Sequence, residues 1–273
     1  MAGLKVATYL GDLVRNLEPD VIETYETKPL FEQAAQYPDL PKVGYIHMLQ
    51  SQGLLHDTYY YGVDAKQIVP TFMYPTDMMD GAIVSGNCVA PCDKVTTYHH
   101  FHNPVIDECY KHHGKDINFM GVILTNENVF LADKERHSDM VAKFCEWLQL
   151  DGVLITEEGY GNPDADFVGC LVALEDAGVK TIGVTNECTG RNGTSQPLVT
   201  LDEKCDAIVS CGNVSELIEL PPMETVLGEL QSLARDGLSG GWAGDEILGP
   251  SVREDGSVIM ENNSMFCGDQ VVG

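Results

Sequence analysis

The sequence has few basic residues: 16 Lys and Arg stand against 42 Asp and Glu, which gives a formal net charge of −26 and a pI near 4.4. A surface of this charge repels nucleic acids and anionic lipids, so no nucleic-acid partner is expected. Long apolar runs are also lacking. The best candidate, INFMGVILTN, has about half the length that a bilayer-spanning helix requires, so no membrane span is expected.

The N-terminal stretch does not fit a secretory signal, because Lys5, Asp12 and Arg15 interrupt what would have to be an apolar region. We therefore expect a cytoplasmic protein. Nine cysteines, an odd number, favour reduced thiols over a disulfide framework. Complete GxGxxG and Walker patterns are absent, which argues against a nucleotide cofactor. The GxSxG nucleophile elbow is also absent, so nothing strengthens a hydrolase interpretation.

Apolar runs rich in Val and Ile recur from residue 43 onward, with helical patterns between them. Near-continuous runs of this kind are typical of strands buried on both faces, and their alternation with helices indicates βαβ crossovers. We predict an α/β fold with a mostly parallel, doubly wound sheet, flanking helices and an irregular C-terminal extension. The chain is predicted to form one domain over 1–273, with a helical segment 1–40 packed on it and an irregular tail over 238–273. The strand candidates are KVGYIHML, QIVPTFMY, GAIVSG, INFMGVILT, DGVLIT, KTIGVT and CDAIVSCG.

One helix is particularly well marked by its sequence. Asn162 is the predicted N-cap, Pro163 the first helical residue and Gly178 the stop. Asp164 and Asp166 are assigned to the first turn, where the helix dipole favours negative charge.

Polar loops follow the predicted strands. The carboxyl ends of parallel strands meet at one edge of a sheet, and ligands bind in the crevice beyond that edge. Carboxylates and amides placed there suit a small cationic or amino-bearing ligand. The alternative is that Asn and Gly are simply common in turns. The candidate substrate-binding residues are Asn126, Glu127, Glu157, Glu158, Asn162 and Glu187.

The stretch IVSGNCVAP ends a strand on Gly86, Asn87 and Cys88. Three ordinary interpretations of Cys88 are a packed thiol, a nucleophile with a histidine partner and a metal ligand. The spacing of the neighbouring cysteine and histidines is not that of the tight zinc motifs, so no metal site is predicted. The ligands that such a site would use are Cys88, Cys92, His99, His100, His102, His112 and His113.

A fourth interpretation concerns a cleavage before Cys88. In a strained turn, the Cys88 thiol can attack the preceding carbonyl and convert the amide to a thioester. Elimination then cuts the chain and leaves a dehydroalanine, which tautomerises and hydrolyses to a pyruvoyl group. Gly86 would permit the unusual dihedral angles, and Asn87 could polarise the carbonyl by hydrogen bonding.

The chain resembles the component B alpha/beta proproteins of the glycine, sarcosine and betaine reductases of amino-acid-fermenting anaerobes. The D-proline reductase proprotein is a more distant relative. The resemblance extends from near the first residue to about residue 230. It implies cleavage between residues 87 and 88, with Cys88 as the precursor of a pyruvoyl cofactor. The segments that carry it are ETYETKPL, MLQSQGLLHDTYYYGVDAKQIVPT, MDGAIVSGNCV, NFMGVILTNENVFLADKER, EEGYGNPDADF and GRNGTSQPL.

The resemblance also implies a mechanism and partners. The pyruvoyl carbonyl would form a Schiff base with the amino group of a small amino-acid substrate. A selenocysteine on a separate component B subunit would attack the α-carbon, and ammonia or methylamine would leave. The carboxymethyl group would pass to selenoprotein A and end as acetyl phosphate on component C, with thioredoxin as the indirect source of electrons.

Family proproteins carry a long segment ahead of the position that corresponds to Met1. Two expectations follow: the start lies upstream, or the chain is a shortened paralogue. The second motivates an alternative function as a non-catalytic amine-binding or scaffold subunit. A further alternative is a zinc-dependent hydrolase that uses Cys88, Cys92 and the histidines His99 to His102.

Overall fold

The computed structural model describes residues 2–52, 57–85, 95–190, 192–213, 216–222, 224–225, 251–252 and 257–261. Its helices are α1 (Ala2–Val14), α2 (Leu30–Gln36), α3 (Pro75–Met79), α4 (Thr97–Phe101), α5 (Pro104–His112), α6 (Leu131–Leu148) and α7 (Asp164–Asp176), with a short 3-10 helix at Ala65–Gln67. Its strands are β1 (Lys42–Leu49), β2 (Thr58–Tyr60), β3 (Val63–Asp64), β4 (Thr71–Met73), β5 (Ile83–Ser85), β6 (Asn118–Asn126), β7 (Gly152–Thr156), β8 (Lys180–Glu187), β9 (Ile208–Asn213), β10 (Leu217–Leu220), β11 (Ser251–Val252) and β12 (Val258–Glu261).

Six strands form the central sheet, in the order β4-β6-β1-β7-β8-β9. All neighbouring pairs are parallel except β4 and β6, which are antiparallel. The prediction of an α/β fold with a mostly parallel sheet is confirmed. Its physical basis is clearest in β6, where all nine residues are buried because helices cover both faces.

The strand GAIVSG does not belong to this sheet, contrary to prediction. It forms β5, which pairs antiparallel with β2 in a separate three-stranded sheet of order β3-β2-β5. Within β5, Ile83 is buried whereas Val84 is 48% exposed. This alternation is typical of a strand with one solvent-facing side, and a three-residue run is too short to reveal it in the sequence.

Helices cover the central sheet on both faces, so the doubly wound prediction is also confirmed. On one face, α6 and α7 pack against Ile46 and Met48 of β1. On the other, α3 and α5 pack in a cluster that includes Tyr45 and Leu49 of the same strand. Successive side chains of a strand point to opposite faces, which explains why neighbours in β1 enter different cores.

Helix α7 begins at Asp164, one residue later than predicted. The residue before it, Pro163, already has helical dihedral angles, as predicted for the first helical residue, and capping by the Asn162 side chain stays a prediction. At the other end, Gly178 has a φ of +80°, a conformation that glycine adopts without strain.

Of the two N-terminal helices, only α2 contacts the central sheet through a buried side chain, and the C-terminal strands pair with one another. Every described side chain of α1 is exposed, whereas α2 contacts β6 through Gln33, whose Nε2 donates to the Phe119 carbonyl at 3.0 Å. The described part of the C-terminal extension contains β11 and β12, which pair antiparallel with each other, and β12 also pairs with β10. Among the described helices, none has the length and apolarity to cross a bilayer.

Candidate functional site

Three of the predicted glutamates meet at the carboxyl ends of β6 and β7. Glu127 and Glu158 are buried, and the Glu158 amide donates to Glu127 Oε1 at 2.9 Å. Burial raises the pKa of Glu127 well above its usual range, and the nearby charges of Glu158 and Glu157 raise it further. The raised pKa favours the neutral form of Glu127, which reduces the repulsion among these three carboxyl groups.

Glu157 is the member of the cluster with an unused oxygen. Thr185 on β8 donates its hydroxyl to Glu157 Oε1 at 2.5 Å. The other oxygen, Oε2, is buried and has no hydrogen-bond partner among the described residues. Burial raises the pKa of Glu157 to about 8, although the hydrogen bond from Thr185 acts in the opposite direction.

An ion pair lies near Glu157 that sequence reasoning missed. Lys134 of α6 is buried and donates its Nζ to Asp166 Oδ2 of α7 and, at 2.9 Å, to the Asn162 carbonyl. Asp164 is also buried and accepts the amide of Val199 at 2.7 Å. From the sequence, Asp164 and Asp166 were predicted only to lie in the first turn of a helix. Lys134 lies in a part of α6 that is rich in charged residues, and lysines in such segments are usually exposed to solvent.

Glu158 has both carboxylate oxygens in use. Oε2 accepts the Gln50 amide at the end of β1 at 2.6 Å, and Oε1 accepts the Val95 amide at 2.8 Å. Val95 is the first described residue after the segment that contains Cys88. The carboxylate cluster therefore contacts one flank of that segment.

A chain of buried aromatic side chains approaches Glu158 from β1. Tyr45 Oη lies 2.8 Å from His47 Nδ1, and His47 Nε2 lies 3.1 Å from His100 Nδ1. His100 Nε2 lies 3.6 Å from Glu158 Oε1. Burial lowers the pKa of His47 to about 3, so this ring is neutral at pH 7. The signal that could have found His47 is a histidine within the otherwise apolar run KVGYIHML.

The other predicted substrate-binding residues are more scattered. Asn126 is buried and donates its Nδ2 to the Ala65 carbonyl at 2.6 Å. Asn162 is exposed, and Glu187 lies at the end of β8 opposite Asn213 of β9. Substrate contact by these three residues stays a prediction. The predicted cleavage-site residues Gly86, Asn87 and Cys88, together with Cys92, lie outside the described residues.

The histidines considered as metal ligands point to different partners. His99 Nδ1 lies 2.7 Å from the Thr96 hydroxyl, and His112 Nδ1 lies 2.6 Å from Asp116. His113 Nε2 lies 3.1 Å from Gln33 Nε2. Within the described ranges, no three His, Cys, Asp or Glu side chains are arranged to hold a metal ion.

A family model described as glycine/sarcosine/betaine reductase component B subunits matches residues 1–273. The betaine reductase complex component B subunit alpha of Peptoclostridium acidaminophilum is 56% identical over 274 residues, which cover 100% of this chain and 62% of that protein. The glycine reductase complex component B subunits alpha and beta of Acetoanaerobium sticklandii are 51% identical over 273 residues, or 100% of this chain and 62% of that protein.

A D-proline reductase proprotein of Acetoanaerobium sticklandii is more distant, at 25% identity over 181 residues, which cover 62% of this chain and 27% of that protein. No solved structure gives a significant match. The chain spans about three fifths of the length of the reductase relatives, at 62% and 59% of their sequences.

Proposed function

Because the chain belongs to the family of glycine/sarcosine/betaine reductase component B subunits, we propose that it is the substrate-binding, pyruvoyl-dependent subunit of such a reductase. The reaction class is the reductive cleavage of a C–N bond in glycine, sarcosine or betaine, and the protein acts as part of a complex. The partners proposed are a selenocysteine-containing component B subunit, selenoprotein A and component C, with thioredoxin as the indirect electron source. Acetyl phosphate and ammonia are the proposed end products from glycine.

The observation that carries this proposal is the unused oxygen of Glu157. Buried polar atoms in folded proteins almost always have a hydrogen-bond partner, so a buried oxygen that lacks one among the described residues supports the proposal of a ligand at this position. The carboxylates around it favour a cation, and the strand-end position is where ligands bind in open α/β sheets. A small ammonium or secondary amine satisfies both conditions.

Glu157 has the acidity that a proton acceptor needs at neutral pH. Its pKa of about 8 lies close to the working range, where general bases are most effective. A substrate ammonium must lose a proton before its nitrogen can act as a nucleophile. In its ionised form, Glu157 Oε2 can take that proton, and the hydrogen bond from Thr185 to Oε1 holds the carboxyl group in place.

The proposal of a pyruvoyl group is supported by the amide of Val95, which follows the Cys88 segment in the sequence and donates to Glu158 Oε1. When present, the group supplies an electrophilic carbonyl that reacts with amines. The carboxylates of Glu157 and Glu158 would stabilise positive charge on an amine nitrogen held at this edge of the sheet. The name of the Acetoanaerobium sticklandii relative, which assigns subunits alpha and beta to one chain, supports a precursor that is cut in two.

Intact-mass analysis of the purified protein tests the proposal. We expect two fragments, 1–87 and 88–273, of which the larger has a blocked N-terminus that reacts with a carbonyl-specific hydrazide. Cys88→Ala should abolish both the cut and the carbonyl, whereas Cys92→Ala should preserve them. A single uncut chain would contradict the proposal. An uncut chain that still binds glycine would favour the non-catalytic amine-binding alternative, and stoichiometric zinc in elemental analysis would favour the hydrolase.

Amine binding tests the role of Glu157 separately. In calorimetric titration with glycine and sarcosine, Glu157→Gln should weaken binding by roughly 10-fold or more, because a charge-assisted hydrogen bond is replaced by a neutral one. Glu135→Gln, on the exposed face of α6, is the matched control and should bind as the wild type does. Equal affinity of the two variants would remove Glu157 from the substrate site.

A further inference from the structure

A small cavity lies between β1, β6, α6 and α7, beside the ion pair of Lys134 and Asp166. None of the residues that line it is more than 7% exposed. Its volume, taken as the space open to the centre of a water molecule, is about 10 Å³. On that measure one buried water needs about 10–15 Å³, so the cavity fits a single molecule of that size. Neither Glu157 nor Glu158 lines this cavity, which is therefore separate from the amine site proposed above.

Two residues that line the cavity each have a buried polar atom without a hydrogen-bond partner among the described residues. These atoms are Thr125 Oγ1 on β6 and His137 Nδ1 on α6, and the two residues are 2% and 7% exposed. Buried polar atoms are almost always paired with protein or with ordered water. Two such atoms at one cavity of this size indicate a single ligand that hydrogen-bonds to both.

Lys134 brings a third polar group to the same cavity. Its ammonium group has three N–H donors, of which one donates to the Asn162 carbonyl at 2.9 Å and another to Asp166 Oδ2. Within the described part of the chain, the third donor has no acceptor. An acceptor in the cavity would complete the hydrogen bonding of this buried cation.

The ligand must be able both to accept and to donate. The free N–H of Lys134 needs an acceptor, and the Thr125 hydroxyl can act in either way. Burial is the main cause that lowers the pKa of His137, which favours a neutral ring whose Nδ1 either accepts or donates. A chloride ion offers no donor and is larger than water. An ammonium ion offers no acceptor and is repelled by the charge of Lys134.

We infer that this cavity binds one water molecule, which hydrogen-bonds to Thr125, His137 and Lys134. Three hydrogen bonds are the usual number for a buried water, and two donors and two acceptors suffice for these partners. The water joins β6 to α6 and fixes Lys134, whose charge opposes the rise that burial causes in the pKa of Glu157. The inference does not rest on the proposed function, because it concerns the folded chain alone.

A crystal structure of the full chain, at a resolution that shows ordered water, tests the inference. We expect one water peak in the cavity, about 2.5–3.2 Å from Thr125 Oγ1, His137 Nδ1 and Lys134 Nζ. Crystals soaked in bromide identify an anion site, because a halide in the cavity would give an anomalous signal. An empty cavity, a direct hydrogen bond between Thr125 and His137, or a bromide peak would each overturn the inference.

Magnetic relaxation dispersion of the water oxygen nucleus counts long-lived internal waters in solution. Thr125→Val keeps the shape of the side chain but loses the hydroxyl, and it should remove one water from the wild-type count. Thr125→Ser keeps the hydroxyl and should retain that water. Thr181→Val is the matched control, since Thr181 is also 2% exposed in the central sheet but donates its hydroxyl to Glu175 Oε1 at 2.8 Å. Its water count should equal that of the wild type.

The outcomes are independent of cleavage and of amine binding. An unchanged count in Thr125→Val would contradict the inference, and so would an equal loss in Thr125→Val and Thr181→Val, because the change would then not be specific to the cavity. If Thr125→Val does not fold, the wild-type crystal structure decides the question. A chain that holds this water but stays uncut refutes the proposed function alone.

Discussion

Glu157 and Glu158 are adjacent in the sequence and belong to the same carboxylate cluster, but their side chains have different partners. Glu158 uses both oxygens to hold backbone amides and adjoins a buried histidine pair. Glu157 uses one oxygen with Thr185 and leaves the other buried without a partner among the described residues. The contacts of two neighbouring side chains can therefore differ completely, so that one carboxylate is structural while the other keeps an oxygen for a ligand.

Glu157 and His47 also respond to pH with opposite signs. The folded-state pKa of Glu157 is raised by burial to about 8, which makes the folded state less stable as the pH rises from 4.5 to about 8. The folded-state pKa of His47 is lowered by burial to about 3, which makes the folded state less stable as the pH falls from 6.5 to about 3. Glu157 therefore lowers the stability of the fold toward alkaline pH, and His47 lowers it toward acid pH.

The largest expected effect comes from the ion pair beside Glu157. Lys134→Met should reduce the free energy of unfolding by about 3–5 kcal/mol, because Asp166 would remain buried without its cation. Chemical denaturation measures the change. Adding Asp166→Asn should recover part of the loss, and Lys204→Met, which breaks an exposed pair with Asp176, should leave stability unchanged within error. Equal effects of the two lysine variants would show that burial does not matter here.

Removing the charge of Glu157 should change the pH dependence of stability. Between pH 4.5 and about 8, the unfolded carboxyl has lost its proton while the folded one keeps it. Wild-type stability should therefore fall, relative to Glu157→Gln, by up to about 1.4 kcal/mol per pH unit in that interval. Denaturation in the absence of amines, repeated across the interval, measures the difference. Parallel curves for wild type and variant would contradict the raised pKa.

The pH dependence of stability should change in the opposite direction in Glu175→Gln than in Glu157→Gln. Burial raises the pKa of Glu175, but hydrogen bonds from the Thr181 hydroxyl and amide and from Lys180 outweigh it and lower the pKa overall. A lowered pKa contributes stability above the unfolded value of 4.5 and loses it as the pH falls through the folded value. Glu175→Gln should therefore be most destabilising at neutral pH and least so in acid.

A smaller loss of stability is expected from a change in the buried side chains beside Glu158. The Tyr45 hydroxyl lies 2.7 Å from the Thr156 hydroxyl and accepts from Asn103 Nδ2 at 3.3 Å, in addition to its contact with His47. Tyr45→Phe leaves these buried groups without that partner and should cost about 1–3 kcal/mol. Thermal unfolding is the measurement. Tyr9→Phe, on the exposed α1, should have no effect, and a similar shift for both would contradict the buried network.

The smallest expected effect concerns the hydrogen bond that holds Glu157. Thr185→Val removes the donor to Glu157 Oε1 and should destabilise the protein by about 1 kcal/mol. That hydrogen bond lowers the pKa of Glu157, so the pKa should be higher in the variant. The decrease in stability with rising pH should then continue to a higher pH than in the wild type. Thr185→Ser should restore both properties. A variant that loses stability with an unaltered pH profile would show that packing, not the hydrogen bond, is responsible.

Much of the fold was predictable because it depends on local patterns. KVGYIHML and INFMGVILT became β1 and β6, and the glutamates after INFMGVILT and DGVLIT reached the predicted edge of the sheet. The strand GAIVSG was misplaced because its three paired residues contain too little pattern to distinguish a half-exposed ribbon from a buried strand. Lys134 was missed because nothing in a charged helix segment marks one lysine as buried.

The sequence by itself determined which segments are buried strands and which chemical groups follow them, since hydrophobic periodicity and residue type are local properties. Tertiary structure alone decided how those groups pair. His47 meets His100 across 53 residues, and Glu158 holds the amide of Gln50 across 108. Such contacts depend on the strand order and on the face that each side chain occupies. For the same reason, only the folded chain distinguishes the open oxygen of Glu157 from the fully used carboxylate of Glu158.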